Sequence, residues 1–209
     1  AILLDCNTLD YRYSKIALKD ASIVISNTNK PHSLASSAYN VRRAQCEHAL
    51  NELKEVKPEL GALGELSNEE FNKLAGHIAE PLERQRARHA VCENNRTLEA
   101  VAALESDDVE KFGKLMNDSH FSLRDDYEVS CAEVDTLVSL CDRIPSASSI
   151  YGARMTGGGF GGCIVALVKT EDVEKVAQEL LDSYCQETGI ETTYLVTRAG
   201  EGARILYQA

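Results

Sequence analysis

The order of apolar and polar residues predicts strands at the start of the chain. Residues 1–6 are almost continuously apolar, which favours a strand that is covered on both faces. Residues 11–16 alternate between polar and apolar side chains, a pattern typical of a half-exposed strand. Residues 21–26 carry β-branched side chains and predict a central strand, and Pro31 stops the sheet pairing after it.

After these strands, apolar positions recur with the helical spacing i, i+3, i+4 and i+7. Ser67–Glu70 and Ser130–Glu133 both have the spelling of a capping box, and Thr170 precedes the clearest amphipathic stripe, so each is expected to begin a helix. Gly189 is expected to end the last one. Predicted helices start near residues 36, 67, 81, 107, 130 and 170, and predicted strands over residues 192–197 and 203–207 follow. Helices and strands segregated in this way predict an α+β fold with a mostly antiparallel sheet.

A glycine run stands before an apolar segment in the last quarter of the chain. It reads Arg154-Met155-Thr156-Gly157-Gly158-Gly159-Phe160-Gly161-Gly162-Cys163, and residues 164–168 predict a buried strand. Glycine permits positive φ and close backbone approach, so the run predicts a rigid loop whose amide groups can hold phosphates. A glycine-rich hairpin without a ligand has the same composition. The run leads into a strand and lacks a following Lys, so neither a dinucleotide fingerprint nor a P-loop fits.

Composition narrows the classes of partner and compartment. The formal net charge is -11 and the pI is near 4.9, which disfavours nucleic acid as a partner. The seven cysteines include no C-x-x-C pair and favour a reducing compartment. We expect a cytoplasmic protein without membrane contact, since no apolar run is long enough to cross a bilayer. Ala1 falls directly in a predicted strand, so we expect a longer parent chain.

Several polar clusters admit structural interpretations. The basic run over residues 84–89 is interpreted as a solvated helix face balanced by Glu80 and Glu83, in preference to a phosphate-binding patch. No pair of histidines has metal-ligand spacing, so the histidines are interpreted as structural or surface residues. His120 is expected to be buried and hydrogen-bonded.

The glycine run resembles the third signature motif of the GHMP small-molecule kinases, in the form that galactokinases carry. Residues 27–34 and 37–43 resemble the galactokinase segment that follows a central strand, and residues 119–131 resemble a second long run of that family. Residues 1–6 also match. These segments occur in order and together span essentially the whole chain.

The resemblance implies the C-terminal lobe of such a kinase, an antiparallel sheet with helices packed on one side. Residues 21–209 would form this domain, and residues 1–20 would belong to or border an N-terminal lobe. The implied reaction is the ATP-dependent phosphorylation of D-galactose at its C1 hydroxyl. In the family, the ATP cradle, the Mg²⁺ ligands, the sugar-binding acids and the catalytic aspartate lie in the N-terminal lobe. We therefore expect no catalytic residue and no metal ligand in this chain, and no activity from it alone.

The resemblance also assigns roles to residues of this lobe. Tyr39 matches a tyrosine whose hydroxyl reaches the bound galactose. Gly157, Gly158, Gly159 and Gly161 are expected to lie near the phosphates of ATP, with no room for an added Cβ. Lys30 is expected either to contact those phosphates or to be solvated, because Pro31 stands where many galactokinases carry a basic residue.

Three further expectations follow from the resemblance. Arg124, Asp125 and Asp126 are expected to pair structurally at a helix end, since the family's metal and base residues lie elsewhere. Galactose, ATP and the N-terminal lobe are the expected partners. A non-catalytic galactose and ATP sensor, or another GHMP sugar kinase such as an N-acetylgalactosamine kinase, would differ mainly in the N-terminal lobe, so both remain alternatives.

Overall fold

The computed structural model describes residues 1–16, 18, 20–30 and 35–200. Side chains are described from residue 38 onward in the first helix. Pro31 and the predicted strand over residues 203–207 lie outside the described residues.

Four antiparallel strands form the main sheet, in the spatial order β4-β5-β3-β6. Their bounds are Ala21–Asn27 for β3, Ile150–Met155 for β4, Cys163–Lys169 for β5 and Thr193–Thr197 for β6. The predicted central strand over residues 21–26 is confirmed, since β3 lies between β5 and β6. Strand β4 was not predicted from the sequence.

The described part of the chain contains six α-helices. They are α1 Ala35–Val56, α2 Asn68–Leu74, α3 Pro81–Glu105, α4 Val109–Asp125, α5 Ala132–Cys141 and α6 Val173–Thr188. The capping box at Ser67–Glu70 and the left-handed Gly189 after α6 are both confirmed. None of the described helices combines the length and the apolar content that crossing a bilayer requires.

The main core lies between the sheet and helices α5 and α6. Alternate side chains of β5, Ile164, Ala166 and Val168, point into it because successive side chains of a strand face opposite sides. The other set, Val165 and Leu167, packs near Met116 of α4. A separate apolar cluster joins α1, α2 and α3. The α+β class with a mostly antiparallel sheet is therefore confirmed.

Helix α4 and strand β4 approach each other through two glycines. A Cβ added to Gly113 would lie 2.1 Å from the Tyr151 carbonyl oxygen, and one added to Gly152 would lie 1.9 Å from the Gly113 carbonyl oxygen. Only glycine permits this contact between the two backbones. The contact fixes the position of β4, which leads into the glycine run.

The first two strands stand apart from the main sheet. Strand β1, Ile2–Leu4, pairs with β2, Tyr11–Tyr13, as a two-stranded ribbon. The prediction of a strand covered on both faces is wrong for this chain, because Ile2 is 62% exposed and Leu4 is 49% exposed. Two exposed strands cannot bury an apolar face by themselves.

Two predicted helix caps are wrong. Helix α5 begins after Cys131, and the Ser130 hydroxyl donates to Asp135 Oδ1 at 2.5 Å, so it does not cap the helix. Thr170 lies in a 3-10 turn before α6, and its hydroxyl is 3.0 Å from that of Ser22. The Ser130 hydroxyl is used by Asp135 within α5, and the Thr170 hydroxyl by Ser22 of β3.

Candidate functional site

The glycine run forms the end loop of the β4–β5 hairpin. The Thr156 amide donates to the Cys163 carbonyl at 3.0 Å where the loop begins. Positive φ angles occur at Gly157, Gly159, Phe160, Gly161 and Gly162. Glycine adopts such angles at little steric cost, which explains why this loop is built almost entirely from it.

The glycines of this loop are of two kinds. A Cβ built on Gly157 or Gly158 meets nothing within 4 Å, and both residues are exposed. A Cβ on Gly159 would lie 2.1 Å from the carbonyl oxygen of Val129, and one on Gly161 would lie 2.6 Å from that of Lys30. The expectation of no room is confirmed at Gly159 and Gly161. It is wrong at Gly157 and Gly158, because the tip projects away from the fold.

The end of β3 fixes one side of the loop. The Gly162 carbonyl accepts from the Thr28 amide at 2.9 Å and from the Thr28 hydroxyl at 2.7 Å. The Thr28 carbonyl in turn accepts from the hydroxyl of buried Tyr184, at 2.9 Å. Helix α6 therefore supports the loop through β3.

Lys30 is held in an ion pair. Its Nζ donates to Glu133 Oε1 at 2.7 Å, and this hydrogen bond raises the pKa of Lys30 and lowers that of Glu133. Glu133 lies in the first turn of α5, where a carboxylate is favoured by the helix dipole. Lys30 would have to leave Glu133 in order to reach a phosphate group.

Residues 127–129, called here the linking segment, support the other side of the loop. The Val129 carbonyl accepts from the Phe160 amide at 2.7 Å. Arg42 Nε donates to the Tyr127 carbonyl at 2.7 Å, and buried Arg86 donates to Glu128 Oε2 at 2.5 Å. The linking segment thus connects α1 and α3 to the glycine loop.

Tyr39 lies on α1, one turn before Arg42, and is 57% exposed. Burial raises the pKa of Tyr127 to about 12, and Tyr39 is among the neighbouring groups that add to this shift. Tyr39 therefore lies near the linking segment, which the glycine loop also contacts, and both Tyr39 and the loop keep an exposed surface. A phenol hydroxyl can both donate to and accept from a sugar hydroxyl.

His120 supports β4 just before the loop. It is 1% exposed, and its Nδ1 lies 3.4 Å from the Met155 amide that donates to it. Its Nε2 lies 3.3 Å from Asp135 Oδ1, outside hydrogen-bond geometry. The expectation that His120 is buried and hydrogen-bonded is confirmed.

The basic run over residues 84–89 is only partly a solvated face, so that interpretation is wrong for two of its members. Arg86 and His89 are buried, because α3 packs against the end of α4 and the linking segment. His89 stacks on Tyr127 with the ring centroids 4.4 Å apart, and burial lowers its pKa to about 4. The expected partners Glu80 and Glu83 do not balance these groups, since Glu128 pairs with Arg86 and Glu83 with His48.

Carboxylates near the end of α4 are engaged in ion pairs. Asp125 pairs with Arg124 at 2.7 Å, and Asp126 pairs with Arg88. This agrees with structural pairing at a helix end. His48, Glu52 and Glu83 bring ligand atoms within 4.8 Å of one another between α1 and α3, where the His48–Glu83 pair accounts for the grouping.

Sequence reasoning missed the groups that hold the site together. Arg42 and Arg86 bind backbone carbonyls 85 and 40 residues away along the chain. The only available signal was that Arg42 falls within the resembling segment of residues 37–43.

Comparison with known proteins places this arrangement in a family. Residues 100–186 match the family described as GHMP kinases C terminal. The galactokinase of Clostridium beijerinckii is 52% identical over 98% of this chain and 51% of its own length. This chain contains a GHMP kinase C-terminal domain. The galactokinase of Clostridium acetobutylicum is 49% identical over 98% of this chain and 51% of its own length, so the chain spans about half the length of these relatives.

Solved structures agree with this assignment. The crystal structure of Lactococcus lactis galactokinase complexed with galactose matches with a TM-score of 0.88 and 43% identity, over 96% of this chain and 51% of that one. The mevalonate kinase of L. major, in complex with R-mevalonate, matches with a TM-score of 0.57 at 20% identity, over 94% of this chain and 48% of that one. The second match, at this identity, shows likeness of fold alone.

Proposed function

We propose that this chain forms the C-terminal lobe of a galactokinase, which transfers the γ-phosphate of ATP to the C1 hydroxyl of D-galactose. The observation that carries the proposal is the 52% identity to a galactokinase over 98% of the chain. The alternatives are a sensor that binds both ligands without reaction and a kinase for another sugar. The names of the relatives favour galactokinase over both.

The N-terminal half would supply the catalytic residues and the Mg²⁺ ligands. Carboxylates around the glycine loop support this division, because each already has a partner. Glu133 pairs with Lys30, Asp135 accepts from Ser130, and Glu128 pairs with Arg86. A general base needs a carboxylate that is free to accept the proton of the attacking hydroxyl. The chain alone should therefore be inactive.

The exposed tip of the glycine loop, Gly157 and Gly158, is the proposed contact for the phosphates of ATP. Space at Gly157 and Gly158 lets a phosphate approach the backbone, and Gly159 and Gly161 hold the loop rigid from below. Bound ATP would supply the phosphoryl group, and Mg²⁺ held by the N-terminal half would offset its charge. Lys30 could join them only by exchanging Glu133 for a phosphate.

Tyr39 is the proposed galactose contact of this lobe. Its exposed position on α1 leaves the hydroxyl available for a sugar hydroxyl. We further propose that residues 1–20 border the N-terminal half and residues 21–209 form the C-terminal domain. The complete enzyme would be cytoplasmic, without nucleic acid or membrane partners, in keeping with the net charge of -11.

The test joins this chain to the N-terminal half of the Clostridium beijerinckii galactokinase. The joined protein should form galactose 1-phosphate, measured by ³¹P NMR, and the 209-residue chain should form none. Product from the chain alone would refute the division of roles. A joined protein that binds galactose and ATP without turnover would contradict the proposal that this chain completes a galactokinase.

The Tyr39→Phe variant of the joined protein tests the sugar contact. Loss of one neutral hydrogen bond should raise KM for galactose about three- to tenfold and leave KM for ATP unchanged. Tyr194→Phe is the matched control, because the Tyr194 hydroxyl donates to Glu174 on another part of the surface. Equal KM values for galactose in the two variants would remove Tyr39 from the site.

A further inference from the structure

A cavity, called here the sheet cavity, lies between β3, β5 and helices α3 and α4, and its volume is about 290 Å³. The glycine loop is not part of its lining. Among the described residues its lining is mainly apolar, with Ile23, Val165 and Leu167 from the sheet and Phe112 and Met116 from α4. Small-molecule sites in proteins are typically concave and apolar, with a few converging polar groups.

The polar groups of the sheet cavity gather around Arg154. Glu93 accepts hydrogen bonds from Ser119 and from Arg96, so its two carboxylate oxygens are both used. The Nε of Arg154 is buried and has no hydrogen-bond partner. Leaving a buried donor of a charged group unsatisfied is costly, so a missing acceptor is expected there.

The charges of the lining residues also indicate a missing hydrogen-bond acceptor near Arg154. The described lining contains two cations, Arg96 and Arg154, against one anion, Glu93, so the lining itself carries one net positive charge. Burial lowers the pKa of Arg154; attraction by Glu93 opposes this shift, and repulsion by Arg96 adds to it. An acceptor with one negative charge would satisfy both the free N–H and the charge balance.

We propose that the sheet cavity binds a monocarboxylate with a short apolar chain, its carboxylate on Arg154 and its chain along the sheet. Acetate lacks the apolar body that the lining favours, and a phosphate dianion exceeds the single net positive charge of the lining. This binding site is separate from the proposed galactose and ATP site and does not require phosphoryl transfer.

Two methionines make the test direct, because the chain contains only Met116 and Met155. Met116 lines the sheet cavity, and Met155 Cε packs beneath Gly159. Titration of the [methyl-¹³C]Met chain with sodium octanoate should shift the Met116 signal in a saturable way. Octan-1-ol and acetate, which carry only the chain or only the charge, should bind at least about tenfold more weakly than octanoate.

Arg154→Met should weaken octanoate binding about ten- to a hundredfold, because a charged hydrogen bond is lost while the side-chain volume is kept. Arg143→Met is the matched control, since Arg143 pairs with Glu187 on the exposed surface. Ala100→Leu should abolish binding of octanoate and octan-1-ol alike by filling the cavity. This variant tests the site even where Arg154→Met fails to fold.

The joined two-lobed protein should bind octanoate as the chain does, measured by calorimetry. Any of three results would overturn the proposal. The Met116 signal could fail to shift in a saturable way, or Arg154→Met and Ala100→Leu could both leave the affinity for octanoate unchanged. The third result is binding of octanoate by the chain but not by the joined protein. Failure of galactose phosphorylation has no bearing on these readouts.

Discussion

At the scale of single residues, adjacent glycines of one loop have opposite structural roles. Gly158 has open space around it, whereas Gly159 lies against the Val129 carbonyl with a φ of +85°. The sequence predicts that the run is a loop, but it cannot distinguish the two roles. They depend on a residue 30 positions earlier in the chain, which the fold brings beneath the loop.

Substitution with alanine should separate these roles. Gly159→Ala is expected to cost about 2–3 kcal/mol of unfolding free energy, because its Cβ would overlap a backbone oxygen and its φ is positive. Gly158→Ala should change stability by no more than about 0.5 kcal/mol. Urea unfolding of the two variants measures the difference. Equal losses of unfolding free energy would contradict the close packing of Gly159 against the Val129 carbonyl.

Tyr39 and the glycine residues were singled out as candidates from the sequence, while Arg42 and Arg86 were not. Both arginines act on backbone carbonyls, which leave no mark in the sequence of the accepting segment. A buried arginine also violates the expectation that a basic run on a helix is solvated. Contacts of this kind are fixed by tertiary packing and not by local pattern.

At the scale of elements, two segments that share the S-x-x-E pattern begin their helices differently. Ser67 and Glu70 form a capping box, in which Glu70 Oε2 accepts from the Ser67 amide while Oε1 accepts from Lys57. At Ser130–Glu133 helix α5 begins one residue later than the pattern predicts, after Cys131, and the Ser130 hydroxyl donates to Asp135 instead of capping the helix. Strand β4 was missed because Gly152 and Arg154 interrupt its apolar pattern. Long helices and the strands β3 and β5 were predictable, since their periodicity is uninterrupted.

The contact between α4 and β4 gives a prediction at this scale. Gly113→Ala should cost about 3 kcal/mol of unfolding free energy, at the upper end for overpacking, because the new Cβ would lie 2.1 Å from the Tyr151 carbonyl oxygen. Gly76→Ala is the matched control, since its Cβ would meet nothing within 4 Å. Thermal and urea unfolding measure both, and a tolerated Gly113→Ala would show that α4 can move away from β4.

At the scale of the whole molecule, the β1–β2 ribbon exposes apolar side chains that an isolated fold would be expected to bury. Ile2, Leu4, Tyr11 and Tyr13 are all largely exposed. Contiguous exposed apolar surface marks an interface. The sequence predicted both strands, but their exposure depends on what packs against them in three dimensions.

Hydrogen exchange tests whether the ribbon borders the proposed N-terminal half. In the joined two-lobed protein, amides of β1 and β2 should exchange at least about tenfold more slowly than in the chain alone, because packing suppresses local opening. Amides of α6, which lie in the core of this domain, should be unchanged and serve as the internal reference. Unchanged ribbon exchange in an active joined protein would place the lobe boundary elsewhere.

The paired glycines at the crossing of α4 and β4 also restrict how this domain can evolve. Gly113 and Gly152 are each already the smallest residue available, so a change at one cannot be compensated by a smaller partner at the other. Any repair must shift the helix relative to the strand, and that strand carries Arg154 and leads directly into the glycine loop. A lineage that abandons either glycine would have to rebuild the loop and the sheet cavity together.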